Sequence, residues 1–245
     1  MALPDDTRRR MPSDSSDGLA RTLRLWLLVL IACDVALLAL RVATYPAFFA
    51  MPGALGYLLE PVVPLASYAA VVFALPFAAA RLPGASVALR VGGVIGLLGG
   101  CVEVASTALE SLVSLPQHAV AIVTGSAMFG LFLLFGVAGY IGAQCVRGFW
   151  PGLLSAIWSA MCAILLVLTF GFVLAMTSLP TLAQDEIGDP DYARSGWTDA
   201  RAFAIANTFD AGFTHLAEAP VIAAVLGALG ASMTRFTMWR DRSSR

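Results

Sequence analysis

Lysine is absent from this chain of 245 residues, so all fifteen basic residues are arginine. A Walker A phosphate-binding loop requires a lysine, and a Schiff-base enzyme requires a lysine amine. Both kinds of site are therefore excluded. Charge is scarce in general, because only 13% of the residues are charged whereas soluble domains average about a quarter.

Apolar residues make up 59% of the chain, which is more than a soluble domain usually contains. This composition excludes a typical soluble enzyme, a disordered chain and a nucleic-acid binder. A membrane-spanning helix needs about 20 mostly apolar residues, and the sequence contains six such segments. We therefore predict an all-α polytopic membrane helical bundle with six transmembrane helices. The predicted spans are about 25–45, 62–80, 87–113, 119–146, 151–179 and 199–234.

The predicted spans belong to one integral membrane domain, residues 21–239. A polar disordered tail, residues 1–20, is expected before it, and a basic tail, residues 240–245, after it. The longest predicted loop, 180–197, is acidic. We interpret this loop as a solvated connector, with a small folded cap as the alternative.

The arginines divide unequally between the two ends of these spans. Twelve of the fifteen fall at one end, and the positive-inside rule makes that end cytoplasmic. Both termini are then cytoplasmic. The arginine-only basic set and the high alanine content suggest a GC-rich bacterial genome, so we expect a multi-pass protein of the inner membrane. The twelve are Arg8, Arg9, Arg10, Arg21, Arg24, Arg81, Arg90, Arg147, Arg235, Arg240, Arg242 and Arg245.

The third span carries two consecutive G-x-x-x-G units, formed by Gly92, Gly96 and Gly100. Small residues at this spacing allow two helix backbones to approach closely in lipid. The pattern predicts a tight bundle with the third helix near its centre. The alternative is that this face contacts a second copy of the chain, as a homodimer, or a partner subunit.

Ionisable residues inside membrane spans are costly and often mark function. With a rise of about 1.5 Å per residue from the cytoplasmic arginines, Asp34 lies about 15 Å deep and Glu103 about 20 Å deep. Arg41 lies further toward the outer surface, and Glu110 follows Glu103 by two turns on the same helix face. Arg41, Glu103 and Glu110 are therefore predicted to lie in the outer half of the bundle, with Asp34 below them near the midplane.

The sixth span adds a polar stripe to this outer half. At about 100° per residue, Asn207, Asp210, Thr214 and Glu218 fall within about 80° of one another, with His215 to one side. We predict a polar, net-acidic vestibule open to the outside, with Asp34 at its floor. The candidate substrate-binding or ion-binding residues are Asp34, Arg41, Glu103, Glu110, Asn207, Asp210, Thr214, His215 and Glu218.

Three hypotheses of function follow from these residues. The first is a secondary transporter or a proton-coupled or cation-coupled permease, because unpaired carboxyl groups can bind a cation or relay protons. The second is a non-catalytic membrane subunit, sensor or assembly factor whose buried charges are structural, with Arg41 paired to Glu103 or Glu110. No substrate is identified by the sequence.

The third hypothesis is a metal-dependent intramembrane enzyme that uses Asp210, His215 and Glu218 as ligands. The spacing of these residues is not H-E-x-x-H, and His118 is the only other histidine. We therefore favour a protein that is not an enzyme, with no catalytic residue assigned and no cofactor expected.

Overall fold

The computed structural model describes residues 14–79, 81–113 and 116–243, and these residues form helices and no strands. A 3₁₀ turn, Pro46–Ala50, follows the first helix. The helices are α1 (Asp14–Thr44), α2 (Ala54–Ala79), α3 (Ala85–Leu112), α4 (Gln117–Val146), α5 (Phe149–Thr177), α6 (Leu179–Glu186), α7 (Pro190–Ser195) and α8 (Ala200–Ser243).

Six of these helices, α1 to α5 and α8, are long and apolar enough to cross a membrane. The predicted all-α bundle of six spans is therefore confirmed. Large apolar side chains such as Leu98, Phe129 and Val221 are more than half exposed on its outside. Such side chains suit contact with the hydrocarbon of a lipid bilayer.

Two helices begin earlier than the sequence predicts. Helix α2 begins at Ala54 rather than near residue 62, and α1 begins at Asp14, inside the tail expected to be disordered. A span predicted from hydropathy begins after Glu60, because a charged residue lowers the mean hydropathy of the segment. The helix itself begins earlier, because backbone hydrogen bonding continues through polar residues. The rest of that tail, residues 1–13, and the last two residues of the basic tail lie outside the described residues.

Helix α5 occupies the centre of the bundle and packs against α1, α3, α4 and α8. Half of its span is buried, a larger share than in any other span of the described chain. The third helix, predicted to lie near the centre, packs directly against α5, and α5 itself takes the central position. Glycine content identified α3 as a close-packing helix, but the small residues of α5 that contact its glycine stripe are serine, cysteine and alanine, which carry no glycine signal.

The glycine stripe of α3 packs against α5 within the chain. A Cβ atom added at Gly92 would lie 2.2 Å from the backbone oxygen of Ser155, and one at Gly96 would lie 2.3 Å from that of Ser159. Gly100 faces Ala163 in the same way, with its nearest atoms at 3.0 Å. The stripe of Gly92, Gly96 and Gly100 therefore packs within the chain, as a tight bundle requires, and a homodimer or partner-subunit contact of α3 stays a prediction.

A second set of glycines joins α4, α5 and α8. A Cβ atom at Gly139 would lie 2.5 Å from the backbone oxygen of Gly227, and one at Gly230 would lie 2.2 Å from that of Gly136. Gly152 of α5 would meet the backbone oxygen of Gly139 at 2.5 Å. These contacts close one end of the bundle, which we call the glycine end. The opposite end contains the beginning of α4 and of α8, and we call it the cavity end.

The segment that the sequence suggested was a solvated connector packs against α5 and α8 at the cavity end. It folds into α6 and α7, and Leu179 and Ala183 of α6 are buried. Trp197 is also buried and packs its ring against Phe48 and Tyr57, with centroid separations of 6.0 and 5.6 Å. The alternative of a small folded cap therefore agrees with the structure. The buried apolar side chains of this segment hold it against the bundle, while its acidic side chains remain at the surface.

A partly buried hydrogen bond connects the residue after α1 to the residue before α8. Tyr45 Oη donates to Asp199 Oδ2 at 2.5 Å, while Asp199 Oδ1 accepts from the backbone N–H of Arg201 at 2.9 Å. Partial burial acts to raise the pKa of Asp199, but the hydrogen bonds from Tyr45, Ala202 and Arg201 outweigh it. The pKa therefore lies below its usual value.

The glycine contacts predict that a methyl group added to α4 lowers the stability of the bundle at Gly139 but not at Gly130. Gly139→Ala should destabilise the bundle by about 1–3 kcal/mol, because a Cβ atom there meets backbone that cannot move aside. Gly130→Ala on the same helix is the control, since no described atom lies within 4 Å of its added Cβ. Thermal unfolding in detergent micelles measures both. Equal unfolding midpoints for the two variants would contradict the packing described for α4.

The contact between Tyr45 and Asp199 predicts a pH-dependent contribution to stability. A carboxyl whose pKa is lowered by folding stabilises the fold above its ordinary pKa of about 3.9, and the contribution is lost as the pH falls through the lower, folded value. Tyr45→Phe should therefore lower the unfolding midpoint at pH 7, and the difference from wild type should shrink below about pH 4. Tyr192→Phe is the control, because the Tyr192 hydroxyl bonds no described residue. A difference that is constant with pH would contradict a charged Asp199 acceptor.

Candidate functional site

A cavity of about 480 Å³ opens between α3, α4, α5 and α8 at the cavity end, with α6 beside it. At this end α4 is packed less closely than at the glycine end. On the face of α4 that carries Gly139, no described atom lies within 4 Å of a Cβ added at Gly125, whereas a Cβ added at Gly139 would lie 2.5 Å from the backbone oxygen of Gly227. The same helix is thus in close contact at one end and separated at the other.

Carboxyl groups line this cavity from three helices. Helix α3 contributes Glu103 and Glu110, α6 contributes Glu186, and α8 contributes Glu218. His215 is the other ionisable side chain, and the described lining residues include no arginine. The cavity is therefore strongly acidic when its carboxyl groups are ionised.

Two of these carboxyl groups are held by neutral hydrogen-bond donors. Thr124 Oγ1 donates to Glu110 Oε2 at 3.0 Å, and Asn207 Nδ2 donates to Glu186 Oε1 at 2.8 Å. Glu103 is half-buried, and its Oε2 is buried without a partner among the described residues. The cavity therefore has acceptor oxygens available to a ligand.

Arg41 neutralises none of these groups. The single ion pair within the described residues joins Arg194 to Asp191 on the surface. The predicted pairing of Arg41 with Glu103 or Glu110 is therefore wrong, because α5 stands between α1 and the cavity.

The remaining walls of the cavity are mostly apolar. Aromatic and aliphatic side chains from α4 and α5, including Phe132, Phe135, Leu168 and Phe172, form much of the lining. Carboxylates beside apolar walls experience a lower effective dielectric than in water, so each attracts a cation more strongly. The arrangement suits a cation that carries an apolar body.

The helix face of α8 that meets the cavity is rotated from the predicted stripe. With Asn207 at zero and about 100° per residue, the lining residues of α8 extend from about 0° to about 140°, so that His215 is near the middle. Thr214 and Asp210, at about −20° and −60°, fall outside this face and do not line the cavity. Asp210 lies within electrostatic range of Glu60 on α2 instead.

Asp34 lies on the other side of α5 and is not the floor of the cavity. Its side chain is 0% exposed, and Oδ1 accepts a hydrogen bond of 2.6 Å from Thr169 Oγ1 on α5. Arg41, two turns further along α1, lines a separate small void. The structure thus brings together Glu103, Glu110, Asn207, His215 and Glu218 in one cavity, and it does not include Asp34, Arg41, Asp210 and Thr214 there.

Several polar residues that line the cavity were not predicted from the sequence. Thr107 lies between Glu103 and Glu110 at spacings of four and three residues, so helical periodicity could have identified it. Glu186 was assigned to a solvated loop, and Thr124 and Thr208 carry no signal that separates them from ordinary helix residues.

The metal-ligand hypothesis finds no support in the geometry of the described chain. No group of three or more His, Cys, Asp or Glu side chains that could hold a metal ion occurs among those residues. Asp210 also faces away from the cavity that contains His215 and Glu218. The proposed ligand set is therefore divided between two faces of α8.

Comparison with protein-family models, with curated proteins and with solved structures finds no match to this chain. The function is therefore argued from the cavity and its chemistry.

Proposed function

We propose that this multi-pass membrane protein binds a cationic solute with an apolar body in the cavity and acts as a proton-coupled or cation-coupled secondary transporter. The observation that carries the proposal is the convergence of Glu103, Glu110, Glu186 and Glu218 on one cavity without an arginine among its described lining residues. Charge of one sign that the protein does not neutralise is suited to a ligand of the opposite sign.

The size and lining of the cavity support a solute rather than a bare ion. Small-molecule sites are usually clefts of roughly 300–1,000 Å³ with mostly apolar walls and a few polar groups. The cavity of about 480 Å³ falls in this range, and its lining has more aromatic and aliphatic side chains than carboxyl groups. A hydrophobic monovalent cation fits both the volume of the cavity and its mixture of apolar and carboxyl side chains.

The close packing at the glycine end supports access to the cavity from the opposite side of the membrane. Backbone contacts at Gly139, Gly227 and Gly230 leave no space at that end, while α4 stands apart at the other. The positive-inside rule places Arg24, Arg90 and the glycine end on the cytoplasmic side. In the proposed orientation the cavity faces outward from a bacterial inner membrane.

Proton coupling follows from the same carboxyl groups. A carboxyl group that is protonated no longer attracts a cation, so protons and the solute compete for the cavity. Release of the solute on one side can then accompany uptake of protons by Glu103 or Glu218.

Neutralisation of a cavity carboxyl group should weaken cation binding by about tenfold, which corresponds to about 1.4 kcal/mol. The test is equilibrium binding of tetraphenylphosphonium to purified wild type, Glu218→Gln and Asp210→Asn. Asp210 is the matched control, because it lies on the same helix outside the cavity. Its variant should bind like wild type, and binding by the wild type should weaken as the pH falls.

Tetraphenylborate, an anion of similar shape, separates charge recognition from apolar partition. It should not compete with tetraphenylphosphonium for the wild-type protein. Equal binding of the two ions, or equal losses in Glu218→Gln and Asp210→Asn, would contradict the proposed site.

A structural role is the second candidate, and Asp34 is the residue that favours it. This carboxyl group is fully buried between α1 and α5 and bonded by Thr169, away from the cavity. Buried polar groups of this kind can connect helices in a membrane bundle. The structural hypothesis therefore fits Asp34, whereas the binding hypothesis fits the cavity carboxyl groups.

The structural role of Asp34 predicts that Thr169→Val destabilises the bundle by about 1–3 kcal/mol, because a buried acceptor loses its donor. Thr177→Val on the same helix is the control, since the Thr177 hydroxyl bonds only carbonyl groups of its own helix. Thermal unfolding measures stability, and tetraphenylphosphonium binding should be unchanged in both variants. A Thr169→Val protein that keeps wild-type stability would contradict this role.

A further inference from the structure

A buried arginine without a counter-charge lies on the side of α5 opposite to the cavity. The side chain of Arg41 is 8% exposed and lines a small void of about 10 Å³ between α1, α5 and α8. The other lining residues of this void are apolar except Thr208. Its Nε and Nη2 groups are buried and bond no atom of the described residues.

No acidic group in the described structure takes the role of counter-ion. Asp199 accepts from Tyr45 and from the α8 backbone and makes no ion pair with Arg41. Asp34 lies two turns away along α1, about 10 Å at 1.5 Å per residue, and is bonded by Thr169.

Tyr45 does not supply the missing negative charge either. Burial raises the pKa of Tyr45 above its usual value, and its hydrogen bond to Asp199 raises it further. The phenol therefore stays neutral at physiological pH.

A guanidinium group in this position lacks both a counter-charge and hydrogen-bond acceptors for Nε and Nη2 among the described residues. Burial of a charge away from water costs several kcal/mol unless the charge is paired. A water molecule in the void would accept hydrogen bonds from Nε or Nη2 but would leave the charge uncompensated. A small anion meets both needs, because it accepts hydrogen bonds and carries the opposite charge.

We propose that Arg41 binds one small monovalent anion, of the size of chloride, in the void between α1, α5 and α8. The void of about 10 Å³ is about the size of one water molecule, so chloride, whose radius exceeds that of water, fits only if the side chains around it move slightly, and phosphate or the carboxylate of a larger solute is excluded. The anion site shares the wall residues Phe172, Ala175 and Thr208 with the acidic cavity but does not depend on the function proposed for that cavity. Its occupant connects three helices and stabilises the bundle.

The test is the anion dependence of thermal unfolding for the purified full-length protein. Sodium chloride replaces sodium gluconate at constant ionic strength and pH, so that only the identity of the anion changes. The midpoint for wild type should rise by roughly 3–6 °C for each tenfold increase in chloride above its Kd. Arg41→Gln should remove this dependence, whereas Arg194→Gln, at the exposed ion pair with Asp191, should keep it.

The outcome is decided even if Arg41→Gln does not fold. Bromide replaces chloride in crystals of the wild-type protein, and anomalous scattering then locates it. A bromide peak beside the Arg41 guanidinium supports the site. A wild-type midpoint that is the same in chloride and gluconate, a chloride dependence that persists in Arg41→Gln, or the absence of a bromide peak at Arg41 would overturn it.

Discussion

Backbone contact at glycine positions is the constraint on which the rest of this structure depends. In lipid no hydrophobic force draws helices together, so close packing of small residues supplies much of the attraction. Gly92 and Gly96 of α3, and Gly139 of α4, bring their helices against α5 and α8 at distances that no larger residue permits. The contacts gather at one end, and the cavity opens at the other because α4 has no such contacts there.

The central position of α5 then separates two polar regions of opposite character. On the side of α3, α4 and α8, the carboxyl groups of Glu103, Glu110 and Glu218 meet around apolar walls. On the side of α1, Arg41 and Asp34 are buried singly, each without an ion-pair partner among the described residues. Because α5 divides them, the guanidinium group of Arg41 does not pair with the carboxyl groups of the cavity.

The sequence predicted the six spans and their helical character, since composition and span length follow directly from the thickness of a bilayer. It also predicted that Glu103 and Glu110 share a helix face, because that follows from helical periodicity within one element. It did not predict how each helix is rotated about its own axis. A rotation of α8 by a few tens of degrees replaces Asp210 and Thr214 with His215 at the cavity, and one-dimensional depth carries no information about it.

Glycine contacts close the bundle at one end, and we propose that it binds a cation at the other. Hydrogen–deuterium exchange along α4, with and without tetraphenylphosphonium, tests both parts in one measurement. We expect strong protection of residues 136–146 in either condition, and weaker protection of residues 119–132 that increases when the cation binds. Uniform protection along α4, or an equal effect of the cation on both segments, would contradict it.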